Sequence, residues 1–501
     1  MSSAATSYDR VPYPSLAFLQ THPDSLAVIG TLFGMHPPPV EHCRVLELAC
    51  GNGSNLIPMA YALPGSEFVG VDLAAKPVEA AQRLIERAGL KNIQIMHMNL
   101  LDLGPGFGEF DYIVAHGVYA WVPSSVQEKI LAICKAHLSA NGLAFVSYNT
   151  NPGGHVRNIL REIVQFQESR ARGSRDRVKE AREFLSAILK ASDPQSPWAA
   201  LLQKELKLSF NRVDSVVYHD DLSDCFSPLS FGDFVARAAR CGLQFVGEAL
   251  LSDLMEPELP AGATAALSEL AQGDVIAYQQ YLDFARYRRF RQTLLCHSDI
   301  PLRRGGVLER AKGLLVASPM RASSEKPDGS VEFANSRGPG TIQTNNPAMI
   351  AVLGRLEKIW PRAESFQELA ARLLPLVPEA LETDPLDGLA EALLKLSGSK
   401  MADLRTCRLP VAEGVSGKPV ASSLARLMAQ EGSMVTTLLH THINIEDEPG
   451  RKFLQLLDGT RDRQALTDAL AADSPNDSRE TILGQVDGNL AIFLRMGLLL
   501  A

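Results

Sequence analysis

The chain has 501 residues, 46% of them hydrophobic and 21% charged, which gives length for two or three domains with ample core. A net charge of −8 supplies no global basic field and argues against a general binder of nucleic acid or anionic membrane. Seven scattered cysteines without a Cys-x-x-Cys pair, a polar start from Met1 to Arg10 and no apolar run of about 18 residues lead to the expectation of a cytoplasmic chain with reduced thiols, no zinc and no membrane insertion.

Residues 1–40 are expected to form a helical cap: a loop from Tyr8, then a helix around Pro23 to Phe33 bounded by Pro37-Pro38-Pro39. Such a segment either covers a ligand or packs on a sheet edge. Val45 to Leu48 follows as a buried strand carrying one acid, Glu47, and runs through Ala49 into Gly51, Gly53 and a helix over Asn55–Ala62. Strand, glycine turn and helix start together bring backbone N–H groups close to a nucleotide-like ligand. The next strand, Glu67–Val71, ends in Asp72, about 20 residues past the turn, where a carboxylate bridges ribose hydroxyls. A dinucleotide fingerprint needs Gly where Leu56 stands, and an ATP loop needs a Lys that does not follow Gly53. An acid beside a loop without phosphate-binding apparatus suits S-adenosylmethionine, an adenosine with a cationic sulfonium and ammonium. The pattern resembles motif I of the class I methyltransferases, with Ala49 where many members carry glycine.

Apolar runs at Arg44–Leu48, Glu67–Val71, Ile93–Met98, Tyr112–Ala115 and Leu143–Tyr148 alternate with helical segments at Asn55–Ala62, Pro77–Ala88 and Val126–Leu138. This is the βαβ pattern of a doubly wound, Rossmann-like parallel sheet, whose ligand lies at the carboxyl ends of the strands. The candidate cofactor-binding residues are therefore Glu47, Ala49, Gly51, Gly53, Asn55, Asp72, Leu73, Asn99, Leu100, Asp102 and His116. Asp102 is placed either to meet the adenine amino group or to cap a turn, and Asn99 is alternatively a turn residue. His116, Tyr119 and Trp121 arrive together beyond the fourth strand, and the fifth ends in Tyr148, with His155 after a Pro-Gly-Gly turn. Ring faces attract cations by roughly 0.5–2 kcal/mol, so Tyr119, Trp121 and Tyr148 suit a cationic donor or an amine acceptor. His155 is a candidate base near neutral pH and His116 a candidate catalytic residue. The alternatives are core aromatics, a structural His116 and a helix-capping His155.

After Thr150 come helices over His155–Phe166 and Asp176–Lys190, then a polar cluster, Tyr218-His219-Asp220-Asp221-Leu222, that faces substrate or solvent. A helix from Ser230 (its N-cap) to Arg240, a strand at Gln244–Glu248, a helix through Asp274–Phe290 and a strand at Gln292–His297 complete the sheet. The expected units are residues 41–154, the core; 155–217, a helical insertion; 218–300, a regulatory segment; and 301–501, a C-terminal winged-helix-like domain. In the last, strands are expected at Leu314–Ser318, Val331–Ala334 and Thr341–Thr344, with Pro327-Asp328-Gly329 turning between the first two. Helices follow at Ala348–Ile359 and Ser365–Leu374, and the winged-helix periodicity runs from Ala421. Without a basic patch this block favours protein recognition or a homodimer contact over DNA. His440 and His442 alternate along one strand face, two metal ligands lacking a third.

Three segments resemble bacterial class I methyltransferases bearing a methyltransferase regulatory domain: His116-Gly-Val-Tyr-Ala-Trp-Val-Pro123, Tyr148-Asn-Thr-Asn-Pro-Gly-Gly-His155, and Gln280 to His297 with its Arg-Tyr-Arg-Arg-Phe-Arg run. That group includes the outer-membrane-protein lysine methyltransferases of the rickettsial type, and the resemblance spans nearly the whole chain. It implies a seven-stranded class I sheet with helical insertions, a C-terminal α+β winged-helix-like domain, and S-adenosylmethionine as methyl donor, S-adenosylhomocysteine as product. A protein lysine is the family's best-known acceptor. Gly154 departs from it, standing where the family's Pro-Gly-Trp-His turn carries Trp. The expected activity is methyl transfer, first to a protein lysine amine and second to a small molecule at N or O. A non-catalytic cofactor-binding regulator or scaffold comes third.

Overall fold

Seven strands form one sheet in the computed structural model, which describes residues 6–14, 16–170, 176–253, 255, 259–376, 384–472 and 478–500. They are β1 (Arg44–Leu48), β2 (Glu67–Asp72), β3 (Ile93–His97), β4 (Phe110–Ala115), β5 (Leu138–Asn149), β6 (Leu243–Glu248) and β7 (Phe290–His297), in the order β3-β2-β1-β4-β5-β7-β6. β1 to β5 run parallel, while β7 is antiparallel to both β5 and β6. Val45, Leu46 and Leu48 are all buried because helices cover both faces of the sheet, which is why β1 reads as a continuous apolar run. The strand order reverses between β1 and β4, so the crevice for a ligand opens beyond Leu48 and Ala115. The doubly wound sheet is as expected from the sequence.

The connection from β5 to β6 is expanded into the helices Gly153–Arg170, Arg177–Ala191 and Pro197–Glu205, which share a small core of Leu160, Val164, Leu185, Leu202 and Phe210. The helix Phe231–Arg240 starts on Ser230, whose side chain accepts from the Asp233 N–H. The helix Pro23–Leu32 lies on the sheet: a Cβ at Gly30 would stand 2.8 Å from Leu143 of β5. Its Val28 and Leu32 pack the other way, into the unit that follows residue 300.

Beyond that residue the chain builds two cores, where one domain over 301–501 was expected. The first gathers Leu314, Val316, Phe333, Leu353, Leu356 and Leu393; the second gathers Ala421, Val435, Phe453, Leu466, Val486 and Leu490. The tight turn at Pro327-Asp328-Gly329 does not follow the strand at Leu315–Ala317. It joins Met320–Glu325 to Val331–Asn335. Met320–Glu325 escaped notice because only Met320 is buried, leaving no alternation of apolar and polar positions. Among the described residues no helix is long and apolar enough to cross a membrane.

Candidate active site

The turn after β1 holds three residues in the left-handed region: Ala49 at φ 60°, Gly51 at 56° and Gly53 at 72°. The Gly51 N–H donates to Asp72 Oδ2 at 2.8 Å and the Ala74 N–H donates to Oδ1 at 2.8 Å. Two backbone donors thus aim a half-buried carboxylate across the switch point; burial pushes its pKa up and the two bonds oppose that. The two glycines do different work. A Cβ at Gly51 would meet nothing within 4 Å, so the turn is open on that side. A Cβ at Gly53 would lie 2.4 Å from Ile95 Cδ1 and 3.0 Å from Ile57 Cδ1. Gly53 therefore lets the helix Leu56–Ala62 pack on the sheet. Gly53→Ala is expected to destabilise the chain by about 2–4 kcal/mol through overpacking and strain. Gly51→Ala should cost about 1 kcal/mol of stability and act mainly on cofactor affinity. Thermal unfolding without ligand and calorimetry with S-adenosylhomocysteine separate the two.

Glu47 lies beneath the same turn, 4% exposed. Its Oε1 accepts from Asn55 Nδ2 at 2.7 Å, and its Oε2 has no partner. Burial pushes its pKa up to about 8, the Asn55 bond opposing and the Asp72 charge adding. An orphaned buried acceptor beside an open backbone fits a ligand that brings N–H donors or positive charge, as the ammonium of S-adenosylmethionine does. On the other side of Asp72, Leu73 stands 45% exposed, an apolar platform at the end of β2. Asn99 accepts from the Leu101 N–H at 3.0 Å and starts the turn Leu100–Asp102, so it is a turn residue; Leu100 is buried and Asp102 exposed.

The five catalytic candidates do not form one pocket. His116 stands half-buried at the carboxyl end of β4, its Nδ1 2.9 Å from Ser147 Oγ and its ring edge-on to Phe18 at 4.2 Å. Burial lowers its pKa to about 4. Tyr119 and Tyr148 are buried core residues under the helix Phe231–Arg240, not walls of a cleft: Tyr148 stacks on Phe234 at 4.1 Å and Tyr119 meets the same ring edge-on at 5.3 Å. Strand alternation explains the correction, since Tyr148 shares a face with Val146 and Ala144, while Phe145 lies in the core of the other face. Among the described residues the Tyr148 hydroxyl meets only Thr293 Oγ1, at 3.2 Å. Tyr148→Phe is accordingly expected to keep methyl transfer within about twofold of wild type and to cost about 1 kcal/mol in an unfolding titration. Trp121 is half-buried, with Phe226 at 4.6 Å and the Arg157 and Arg161 guanidiniums 5.1 and 5.8 Å from its centroid. Its cation-attracting faces are occupied by the chain's own arginines. His155 is exposed in the first turn of Gly153–Arg170. Beside it, a Cβ at Gly154 would fall 2.4 Å from Pro228, so a tryptophan has no room there.

The polar cluster before β6 is an ion-pair node. The Asp221 side chain is fully buried, bonded by Arg157 at 2.8 Å and Arg212 at 2.6 Å, and Asp220 accepts from Arg212 at 2.7 Å. Only the start of the chain reveals why Asp220 keeps an outward side. Tyr13 donates to its Oδ1 at 3.4 Å, Tyr8 stacks on His219 at 4.0 Å, and the Val11 carbonyl lies 2.7 Å from His219 Nε2. Asp9 accepts from the Lys76 N–H at 2.9 Å, just past Asp72. Tyr8 thus stands between the two acids: burial, then the Asp220 and Asp72 charges, pushes its hydroxyl up to about 12. This aromatic lip was missed. Two tyrosines around Asp9 in a polar stretch were its only sequence signal. His440 and His442 do not share a strand face either: His440 is buried in a loop at φ 54°, and His442 is exposed on the strand that follows.

Family models match residues 45–142 as a methyltransferase domain, 213–297 as a predicted methyltransferase regulatory domain and 417–489 as a PKMT C-terminal winged helix domain. The uncharacterized protein RP789 of Rickettsia prowazekii is 31% identical over 479 residues, 92% of this chain and 85% of that one. The solved structure of PKMT2 from Rickettsia typhi superposes with a TM-score of 0.87 at 28% identity, covering 98% of this chain and all of that one. The same protein in complex with AdoHcy gives 0.86 at 29% identity, with coverage of 98% and 100%.

Proposed function

This chain belongs to the S-adenosylmethionine-dependent methyltransferases that join a methyltransferase domain, its regulatory domain and a PKMT winged helix, and on that premise we propose that it methylates lysine side chains of a protein. The observation that carries the proposal is the match to PKMT2 over 98% of this chain and all of that one, with PKMT read as protein lysine methyltransferase.

S-adenosylmethionine, when bound, supplies an electrophilic methyl carbon. Glu47 and Asp72 are the acids that would hold its polar groups, Gly51 would give way to it, and Leu73 with the turn Leu100–Asp102 would line the adenine side. What the chain adds is position, which in a displacement between two bound groups accounts for most of the acceleration. The acceptor amine enters past Tyr8 and Tyr13, whose rings draw an ammonium, beside Asp220. His116, neutral with a pKa held at about 4, is a poor base for a lysine of pKa near 10.4. The lysine proton therefore leaves to water at the exposed lip, and His116 serves as a wall.

Methyl-labelled S-adenosylmethionine incubated with the protein and a fractionated lysate tests this. Label in protein, mapped by mass spectrometry to lysine, is the expected result. Label confined to small molecules would overturn it.

A further inference from the structure

Asn55 is the hub of the cofactor turn, and one of its bonds comes from the far end of the chain. Its Nδ2 donates to Glu47 Oε1 at 2.7 Å and to Thr21 Oγ1 at 2.9 Å. Its Oδ1 accepts from the Phe18 N–H at 2.9 Å and lies 2.9 Å from His440 Nε2. Oδ1 can only accept, so His440 must carry its proton on Nε2. Nδ1 is then a bare lone pair, and it has no partner.

The loop that delivers His440 is built to hold it. It joins the strands Met434–Thr436 and His442–Asn444 of the second C-terminal core. The Thr437 N–H donates to the Thr441 carbonyl at 2.7 Å, the two threonine hydroxyls meet at 2.9 Å, and the Leu438 N–H donates to Gly497 at 2.9 Å. His440 itself sits at φ 54°, a left-handed conformation that is strained for a non-glycine residue and persists only where its surroundings over-determine it. The ring is 4% exposed, 5.2 Å from His22. Next to it a second strut ties the two ends of the chain, with Asp24 accepting from the Thr406 N–H at 2.6 Å and its hydroxyl at 2.7 Å.

We propose that the C-terminal winged-helix unit completes the cofactor site: His440 is a positioning residue that fixes the Asn55 amide and, through it, the orientation of the Glu47 carboxylate. A donor from His440 adds to the one from Phe18 and holds Oδ1 outward, so that Nδ2 stays on Glu47 and leaves Oε2 open to the ligand. The link is reciprocal. Cofactor binding must tighten the docking of the loop around His440, and any partner that draws the winged helix away must loosen the cofactor. This inference rests on the cofactor assignment and is independent of which acceptor is methylated.

Calorimetry with S-adenosylhomocysteine on the full chain tests it. His440→Leu is expected to weaken binding about tenfold, as the loss of a buried donor to a partner left in place. His440→Gln, whose amide nitrogen reaches the position of Nε2, should return affinity to within about threefold of wild type. If His440→Leu does not fold, His440→Ala takes its place. Hydrogen exchange over residues 434–444 should slow on adding S-adenosylhomocysteine to wild type and to His440→Gln, and not to the apolar variant. Equal losses in the Gln and apolar variants would reduce His440 to packing and overturn the proposal. So would an apolar variant that binds like wild type.

Discussion

Asp72→Ala is expected to lower affinity for S-adenosylhomocysteine by at least about 100-fold in calorimetry, with the folded core retained. The carboxylate has one oxygen on the Gly51 N–H and the other on the Ala74 N–H, each at 2.8 Å. Those bonds spend one acceptor direction per oxygen, and on the proposed cofactor reading the remaining directions would take a pair of ribose hydroxyls. Hydrogen bonds to a charged group are worth about 1.5–3 kcal/mol each, so losing two removes about 3 kcal/mol or more. The alanine also frees the Gly51 N–H, which lets the left-handed turn relax before any ligand arrives. Asp72→Asn keeps the size and one strong acceptor and sets its amide against the Ala74 N–H, so it should fall between wild type and alanine. An affinity within tenfold of wild type for Asp72→Ala would remove Asp72 from the ribose.

Asp72 stood out in the sequence because two local signals converge on it, a glycine turn and a strand end at a fixed spacing. The sheet was legible because its first five strands alternate with helices along the chain. Later in the chain, side-chain caps at Ser230 and Asp274 mark two helix starts. What could not be read depends on phase or on distance. Tyr148 faces the core under the helix Phe231–Arg240 because of a one-residue alternation that composition does not set, and Tyr119 turns into the same core from the short helical turn Tyr119–Trp121. Gly51 and Gly53 look alike in sequence, and only the presence of Ile95 and Ile57 beside the second separates them. Asn55 was placed at the cofactor, but its role as a hub depends on a histidine 385 residues away. The lip of Tyr8 and Tyr13 needs an acid more than 200 residues downstream, since the Tyr13 and Asp220 partners are 207 residues apart.

The segment Gln280 to His297 stood out in the sequence for its arginines, and the structure gives one of them a measurable task. Arg291 is the largest of the fully buried side chains, with 0% of its surface exposed. Its Nη1 donates to Glu248 Oε1 at 2.8 Å, its Nε and Nη2 grip Asp283 at 2.8 Å each, and its plane lies 3.8 Å over the Phe231 ring. Glu248 also takes the Gln292 N–H and the Thr293 hydroxyl at 2.9 Å, so β6, β7 and the helix Val275–Ala285 meet on these three charges. Arg291→Met is expected to destabilise the chain by about 3–5 kcal/mol at pH 7, because it strands two carboxylates in the interior. The pH dependence carries a sign. Arg291 and Arg288 hold the Glu248 pKa below its usual value against the burial that would raise it. The stabilisation is thus present above the unfolded carboxyl pKa and lost as pH falls through the lower folded one. In Arg291→Met the carboxyls protonate readily, so the difference from wild type should narrow as the pH is lowered from 7 towards 4 in denaturant titrations. Adding Glu248→Gln and Asp283→Asn to Arg291→Met should recover part of the loss at pH 7 by the same logic. A cost under about 1 kcal/mol for Arg291→Met would mean that water reaches these charges, and that the antiparallel edge of the sheet is held by its backbone ladder alone.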